Sequence, residues 1–189
     1  MNVDFLRSAF RILNVYMVFM WKLGLGKLLN CWPKGFGQFI IITHYGRISG
    51  NKYLTPVNYA EIEDKIYCTS GFGIQSDWYR NLLHNPSIEI WMSTGWWQAK
   101  AEDISNHPDR IKIMREVLIG SGFAASLFGI HHTKMDDEEL DQVTKDYRLL
   151  KIERVSERTG VDGPNEFAWI WPVISFLLLL ILRFRKRKK

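Results

Sequence analysis

The chain has 189 residues, 47% hydrophobic and 14% aromatic, which is room for one ordinary domain with a real core and too apolar for disorder. Its 25 basic and 20 acidic residues give a net charge of +5, yet Arg183, Arg185, Lys186, Arg187, Lys188 and Lys189 supply six of the cations with no acid among them. Without that tail the balance is 19 basic to 20 acidic residues, so the basicity is terminal, and no groove tracking a nucleic-acid backbone is expected.

Residues 4–25 read as a helix, with Phe5, Leu6, Ala9, Phe10, Leu13, Met17, Met20 and Trp21 near three-and-four spacing and a thin polar face. An acid precedes any base in Met1-Asn2-Val3-Asp4, and Arg11 and Asn14 break the apolar stretch, so no secretory signal is expected. Cys31 and Cys68 form no CxxC pair; two reduced thiols are expected rather than a zinc ribbon or a redox couple.

Residues 39–45 are β-branched and aromatic and predict a strand, followed by a polar turn at 46–52 and further strands at 53–61 and 65–70. Ser76 is placed to cap a short helix over 77–84, which Asn85-Pro86 closes. Ile88, Ile90 and Met92 alternate in a fourth strand, and Ser93-Thr94-Gly95 turns it into a fifth over 96–103. A helix over 108–119, with Asn106 as its cap and Gly120 and Gly122 ending it, precedes a second helix start at Asp136-Asp137-Glu138-Glu139. These acids suit the positive end of a helix rather than a metal. A last strand is expected over 147–155. Meandering strands with short turns favour an antiparallel barrel or sandwich with helices, a mainly β member of the α+β class.

After a polar linker at 156–166, residues 167–182 hold Ser175 as their single polar side chain, then the cations follow. As a helix that run is about 24 Å long, a little short of the roughly 30 Å hydrocarbon core of a bilayer. Trp169 and Trp171 at one end and basic side chains at the other suit an interface, so membrane attachment through the C-terminal helix and basic tail is expected, either spanning or lying shallow. The domain is expected on the cytoplasmic side. The implied organisation is an N-terminal helix and connector at 1–34, a barrel at 35–155, a linker at 156–166 and an anchor at 167–189.

The chemistry concentrates in the middle. Gly46-Arg47-Ile48-Ser49-Gly50-Asn51-Lys52 joins two glycines, a guanidinium, a hydroxyl and an ammonium, a composition from which backbone N–H groups and Arg47 converge on an anion such as phosphate. Thr55-Pro56 follows in the next strand, where proline requires an unpaired or edge position. Gly71-Phe72-Gly73 and Trp78-Tyr79-Arg80-Asn81-Leu82 complete the pattern. His131-His132 has no third ligand spaced to make a metal site, and no Ser/His/Asp arrangement offers a nucleophile.

Taken in order from Ile40 to Asn85, these motifs resemble the deazaflavin-dependent nitroreductase and F420H2-dependent quinone reductase family, over roughly residues 8–155. The resemblance implies a split β-barrel of the flavin-reductase or pyridoxamine-phosphate-oxidase-like kind and coenzyme F420 as cofactor, with FMN as the alternative. It implies that Arg47, Ser49 and Gly50 hold the phosphate. Tyr53, Leu54, Thr55 and Pro56, with Thr69, Ser70 and Gly71, would line the deazaflavin and its ribityl chain, and Trp78 and Asn81 would close the pocket. Ile48, Tyr53 and Phe72 stand where family members often carry further basic residues. The implied reaction is hydride transfer to a lipophilic acceptor such as a quinone or nitro compound, with the proton drawn from water or Tyr147 and no catalytic residue assigned. The competing reading is a non-catalytic, membrane-associated barrel that holds an apolar or pigment-like ligand.

Overall fold

The computed structural model describes residues 3–30, 37–122, 125, 130 and 135–186, so Cys31, His131 and His132 lie outside the described residues. Six strands, β1 (Phe39–Tyr45), β2 (Lys52–Ile62), β3 (Lys65–Ser70), β4 (Ser87–Met92), β5 (Gly95–Asp103) and β6 (Arg148–Glu157), close a barrel in the order β1-β2-β3-β6-β5-β4. Every pairing is antiparallel. The architecture is therefore the barrel rather than the sandwich.

Strand β1 is buried on both faces, which is why it reads as a continuous apolar run. Ile40 and Ile42 point into the barrel with Val57, Tyr59, Ile66, Ile90, Leu150 and Ile152. Ile41 points outward and packs with Trp21, Trp91 and Trp96. Trp21 belongs to helix α1 (Val3–Lys22), so this aromatic patch is what clamps α1 to the barrel wall. A short helix α2 (Gly26–Leu29) follows. Helix α3 (Asp77–His84) sends Tyr79 and Leu82 into the barrel core, and helix α4 (Arg110–Gly120) packs Met114, Val117 and Leu118 on the outer residues Ala60, Tyr67 and Leu149.

The β2–β3 hairpin turns on Glu63 and Asp64, both at positive φ (51° and 61°), the pair of left-handed residues that a two-residue type I′ turn needs. Its ladder runs from Ile62↔Lys65 only as far as Tyr59↔Cys68. Beyond that point β2 stays paired to β1, while Thr69 and Ser70 of β3 pair with Leu149 and Arg148 of β6. The two strands part there, and Pro56 sits in the stretch of β2 that has no partner on the β3 side, where its missing N–H takes nothing from the ladder.

Two expected caps are corrected. No side-chain cap bond forms at Ser76; its hydroxyl instead shares a 2.7 Å hydrogen bond with that of Ser70. Asn106 does not cap α4, which starts after Asp109; the helix does end at Gly120, as expected. Helix α5 (Asp137–Val143) does use its acids as expected, Asp136 Oδ1 accepting from the Glu139 N–H at 2.8 Å.

Helix α6 (Ile170–Lys186) starts three residues later than the apolar run suggests. Its start is tied to the end of α1: the Phe167 N–H donates to the Lys22 carbonyl (2.7 Å), Trp171 Nε1 donates to the Leu23 carbonyl (2.8 Å), and Lys22 pairs with Glu166 at 2.8 Å. Further on, Phe176, Leu179, Leu182 and Phe184 are all exposed. Among the described residues no helix is long and apolar enough to cross a membrane.

Because Trp21 is 2% exposed and packs on Ile41, Trp91 and Trp96, Trp21→Ala should destabilise the protein by about 3 to 5 kcal/mol in urea unfolding, the range for emptying a buried large aromatic site. A loss below about 1 kcal/mol would show that α1 is not held by this patch.

Candidate functional site

The parting of β2 from β3 opens a cavity of about 830 Å³ on the barrel side, within the range of small-molecule and cofactor sites. Of the twelve residues expected to hold a cofactor, Arg47, Ser49, Tyr53, Leu54, Thr55, Pro56, Thr69, Ser70, Gly71, Trp78 and Asn81 line it; Gly50 does not. Lys52, the second cation of the turn, is exposed at the start of β2 and is not part of the wall. Its contribution to an anion would be through solvent.

Gly50 instead shapes the turn. It takes φ +67°, a left-handed conformation that other residues adopt at a cost, and its N–H closes the turn on the Gly46 carbonyl at 2.8 Å. At Gly46 a Cβ would meet Ser49 Oγ at 2.6 Å and Tyr53 Cε2 at 2.9 Å, so the turn packs this closely only because the side chain is absent. The Ser49 hydroxyl accepts from the Asn51 N–H (3.3 Å) and lies 3.3 Å from the Tyr53 hydroxyl.

Asn81 organises the polar end. Its Oδ1 accepts from the Arg47 N–H and from Arg47 Nη1, both at 3.1 Å, and its Nδ2 lies 3.3 Å from His44 Nδ1. Arg47 Nη1 also reaches Asp77 at 3.1 Å, and Arg80 pairs with the same carboxylate at 2.8 Å. Asp77 is largely exposed, so that ion pair orients Arg47 more than it stabilises the fold. Both contacts of the guanidinium use Nη1, and an arginine fork has further donors to give a phosphate.

Elsewhere in the lining, Thr69 lends its hydroxyl to the Arg148 carbonyl (3.0 Å) and Ser70 is engaged with Gly73 and Ser76. Both line the wall by shape more than by free polar groups. Gly71 faces Tyr147, whose ring would touch a Cβ there at 3.6 Å, and burial raises the Tyr147 phenol above its ordinary value, so it holds its proton at neutral pH. The lining also includes the apolar Val57, Leu118, Ala125 and Ile130, together with Asn58, Ser121 and, from α1, Arg11 and Asn14.

His44 was not singled out from the sequence, although its alternation with Ile40 and Ile42 along β1 places it inside, one residue from the turn's start. It is 3% exposed, its Nε2 lies 3.0 Å from Thr55 Oγ1, and its ring stacks on Tyr53 at 5.8 Å between centroids. Burial lowers its pKa from 6.5 to about 4. Arg11, Asn14, Leu118 and Ser121 also escaped notice, since only the folded chain brings α1 and α4 to the rim of the cavity.

The His44 shift sets a pH dependence. The unfolded histidine takes up a proton near pH 6.5 while the folded one refuses it until about pH 4, so stability is full above pH 6.5 and falls as pH drops toward 4. This one group should account for about 3 kcal/mol of the acid loss. Urea unfolding of the wild type and His44→Gln at pH 7 and pH 4.5 should show a clearly smaller acid loss in the variant; equal losses would mean that His44 is not held neutral.

A protein-family model for F420H(2)-dependent quinone reductases matches residues 21–121, a span that contains β1 to β5, α3, α4 and all twelve of the expected site residues. No curated protein matches the chain. Similar solved structures include a conserved hypothetical protein of Mycobacterium tuberculosis, at 14% identity over 72% of this chain and 79% of that one, with a TM-score of 0.46. Another is a Listeria innocua protein assigned as a pyridoxamine 5'-phosphate oxidase, at 11% identity over 64% and 86% of the two chains, TM-score 0.44. The F420-H2 dependent reductase FDR-A is similar at 17% identity over 61% and 93%, TM-score 0.42. The match to the family model spans more than half of the sequence and encloses the run from Ile40 to Asn85 on which the resemblance rests. The chain belongs to the F420H(2)-dependent quinone reductase family.

Proposed function

We propose that this oxidoreductase reduces a lipophilic two-electron acceptor, a quinone or a nitro compound, in the cavity between β2 and β3, with coenzyme F420 as its cofactor. The observation that carries the reading is that the tight Gly46–Ser49 turn, closed to any side chain at Gly46, lines one cavity with Thr55, Pro56 and Gly71. Reduced F420, when bound, supplies the hydride. The protein's part is binding, orientation and exclusion of water rather than a nucleophile.

Arg47 and Ser49 would hold the phosphate through their side chains, since the N–H groups of Gly46, Arg47 and Gly50 bond within the protein. Tyr53 to Pro56 and Thr69 to Gly71 would line the ring and ribityl chain, and Trp78 and Asn81 would close over them. Water or Tyr147, which is protonated at neutral pH and faces Gly71, would give the proton that accompanies hydride into the acceptor, leaving a hydroquinone in the quinone case. The apolar side chains of Val57, Leu118, Ala125 and Ile130 in the lining suit a lipophilic acceptor.

Attachment to a lipid surface fits the same substrate class. Trp169, Phe176 and Leu179 of the C-terminal segment are 63%, 62% and 66% exposed, and Ile12 and Val15 of α1 are 73% and 68% exposed. Arg183 and Arg185 follow the apolar run. A 17-residue helix is about 25 Å long, so residues 167–189 would lie in the interfacial plane rather than cross it, with the barrel on the cytoplasmic side.

Mixing purified protein with reduced F420 and a soluble quinone should restore the absorbance of the oxidised cofactor; no binding at micromolar concentrations would reject the reading. Arg47→Ala should weaken F420 binding by about 1 to 3 kcal/mol, the scale of charge-assisted hydrogen bonds. Removing residues 167–189 should move the protein from the membrane pellet to the soluble fraction, and persistence in the pellet would place the attachment on α1 instead.

A further inference from the structure

The polar groups around His44 allow only one arrangement of protons. The Arg47 N–H is a backbone donor, so the Asn81 atom 3.1 Å from it must be the carbonyl oxygen. That fixes the amide, and Asn81 Nδ2, a donor, faces His44 Nδ1 at 3.3 Å. Nδ1 must therefore accept, and the proton of the neutral imidazole sits on Nε2. Nε2–H in turn donates to Thr55 Oγ1 at 3.0 Å. With its oxygen occupied as an acceptor, the Thr55 hydroxyl has its own proton to give, and among the described residues His44 is its polar partner. Arg47, Asn81, His44 and Thr55 all line the same cavity.

We propose that His44 is a positioning residue: it passes the orientation of the anion-binding turn, through Asn81, to Thr55, and makes the Thr55 hydroxyl a hydrogen-bond donor to an acceptor oxygen or nitrogen on the flat ligand in the slot. The relay runs in one direction, from Arg47 to Asn81 Oδ1, from Asn81 Nδ2 to His44 Nδ1, from His44 Nε2 to Thr55 Oγ1, and from Thr55 into the cavity. A phosphate drawing Arg47 toward it and a heteroaromatic acceptor atom drawing on Thr55 then load the two ends of one network. With Thr55 acting as donor, a ring presenting a carbonyl or bare nitrogen there is preferred over one presenting N–H. Burial at 3% and the stack on Tyr53 hold the imidazole in place without a charged neighbour on its own strand. The inference rests on the F420 reading of the cavity for its ligand, but not for the proton arrangement.

Two measurements test it. Nitrogen NMR of the ligand-free protein reads the tautomer directly, because the protonated and bare nitrogens of a neutral imidazole have well-separated shifts. His44 should be protonated at Nε2 and bare at Nδ1 near pH 7, and a proton on Nδ1 would overturn the relay whatever the ligand. Fluorescence titration with F420 then compares wild type, His44→Phe, His44→Gln, Thr55→Val and the double variant His44→Phe/Thr55→Val. Each of His44→Phe and Thr55→Val should weaken binding by about 3- to 10-fold, the scale of one neutral hydrogen bond. The double variant should be no weaker than the weaker single one, and His44→Gln, which keeps an acceptor and a donor, should recover most of the loss. Additive losses, or unchanged binding in His44→Phe, would overturn the proposal; absence of F420 binding by the wild type would instead reject the cofactor reading and leave the tautomer result to decide the relay.

Discussion

Asn81 is the residue through which the site's separate pieces become one object. From α3 its carbonyl takes two donors of Arg47, and its amide N–H meets His44 on β1, which in turn reaches Thr55 on β2. At 5% exposed it has little water to fall back on, so every one of its bonds must be made within the protein. One side-chain amide thus ties α3 to the end of β1 and the turn after it, and His44 extends the link to β2. The turn after β1 is tied to α3 because its first N–H beyond Gly46 donates to Asn81, and Arg47 is aimed because its Nη1 is shared between Asn81 and Asp77.

That network would have nothing to act on without the divergence of β2 from β3. A barrel of six strands has an interior filled by its own side chains, here Ile40, Ile42, Ile66, Ile90 and their neighbours. Space for a flat ligand is made by ending one ladder early, at Tyr59↔Cys68, and letting Thr69 and Ser70 continue on β6 alone. Pro56 in the unpaired stretch keeps β2 from re-forming that ladder, since it lacks the N–H that pairing would use. The buried Cys68, its thiol pushed up to about 12 by burial, marks the last closed rung and is a packing residue rather than a reactive one.

Much of this was legible in the residues. Strands announce themselves where β-branched runs are bounded by turn residues, and β3 falls on the expected 65–70 because Glu63-Asp64 and Gly71 bracket it. The tight turn was legible because Gly46 and Gly50 are demanded by sterics and φ, which composition reports directly. Side-chain capping was not: Ser76 has the right type and position, but a tertiary partner, Ser70, competes for its hydroxyl and wins. His44 was hidden for a related reason. A lone histidine in an apolar strand has no local signal, and its role appears only when α3 folds over and presents Asn81 from 37 residues away. The part of the lining that comes from α1 and α4, Arg11, Asn14 and Leu118, was equally invisible, since only the folded chain brings these helices to the cavity.

The exposed apolar side chains of α1 and α6 extend the same logic outward, since the backbone bonds from residues 165 and 167 to Trp21 and Lys22 place the C-terminal segment beside the helix that also contributes Arg11 and Asn14 to the cavity rim. The account's central claim is that the Gly46 turn, pinned by Asn81, grips a phosphate while the slot takes a deazaflavin ring. The most direct test compares binding of F420 with that of the same deazaflavin chromophore lacking the phosphate, in the wild type and in Arg47→Ala. The wild type should prefer the phosphorylated form by at least tenfold and Arg47→Ala should lose most of that preference; equal binding of the two forms by the wild type would contradict the account.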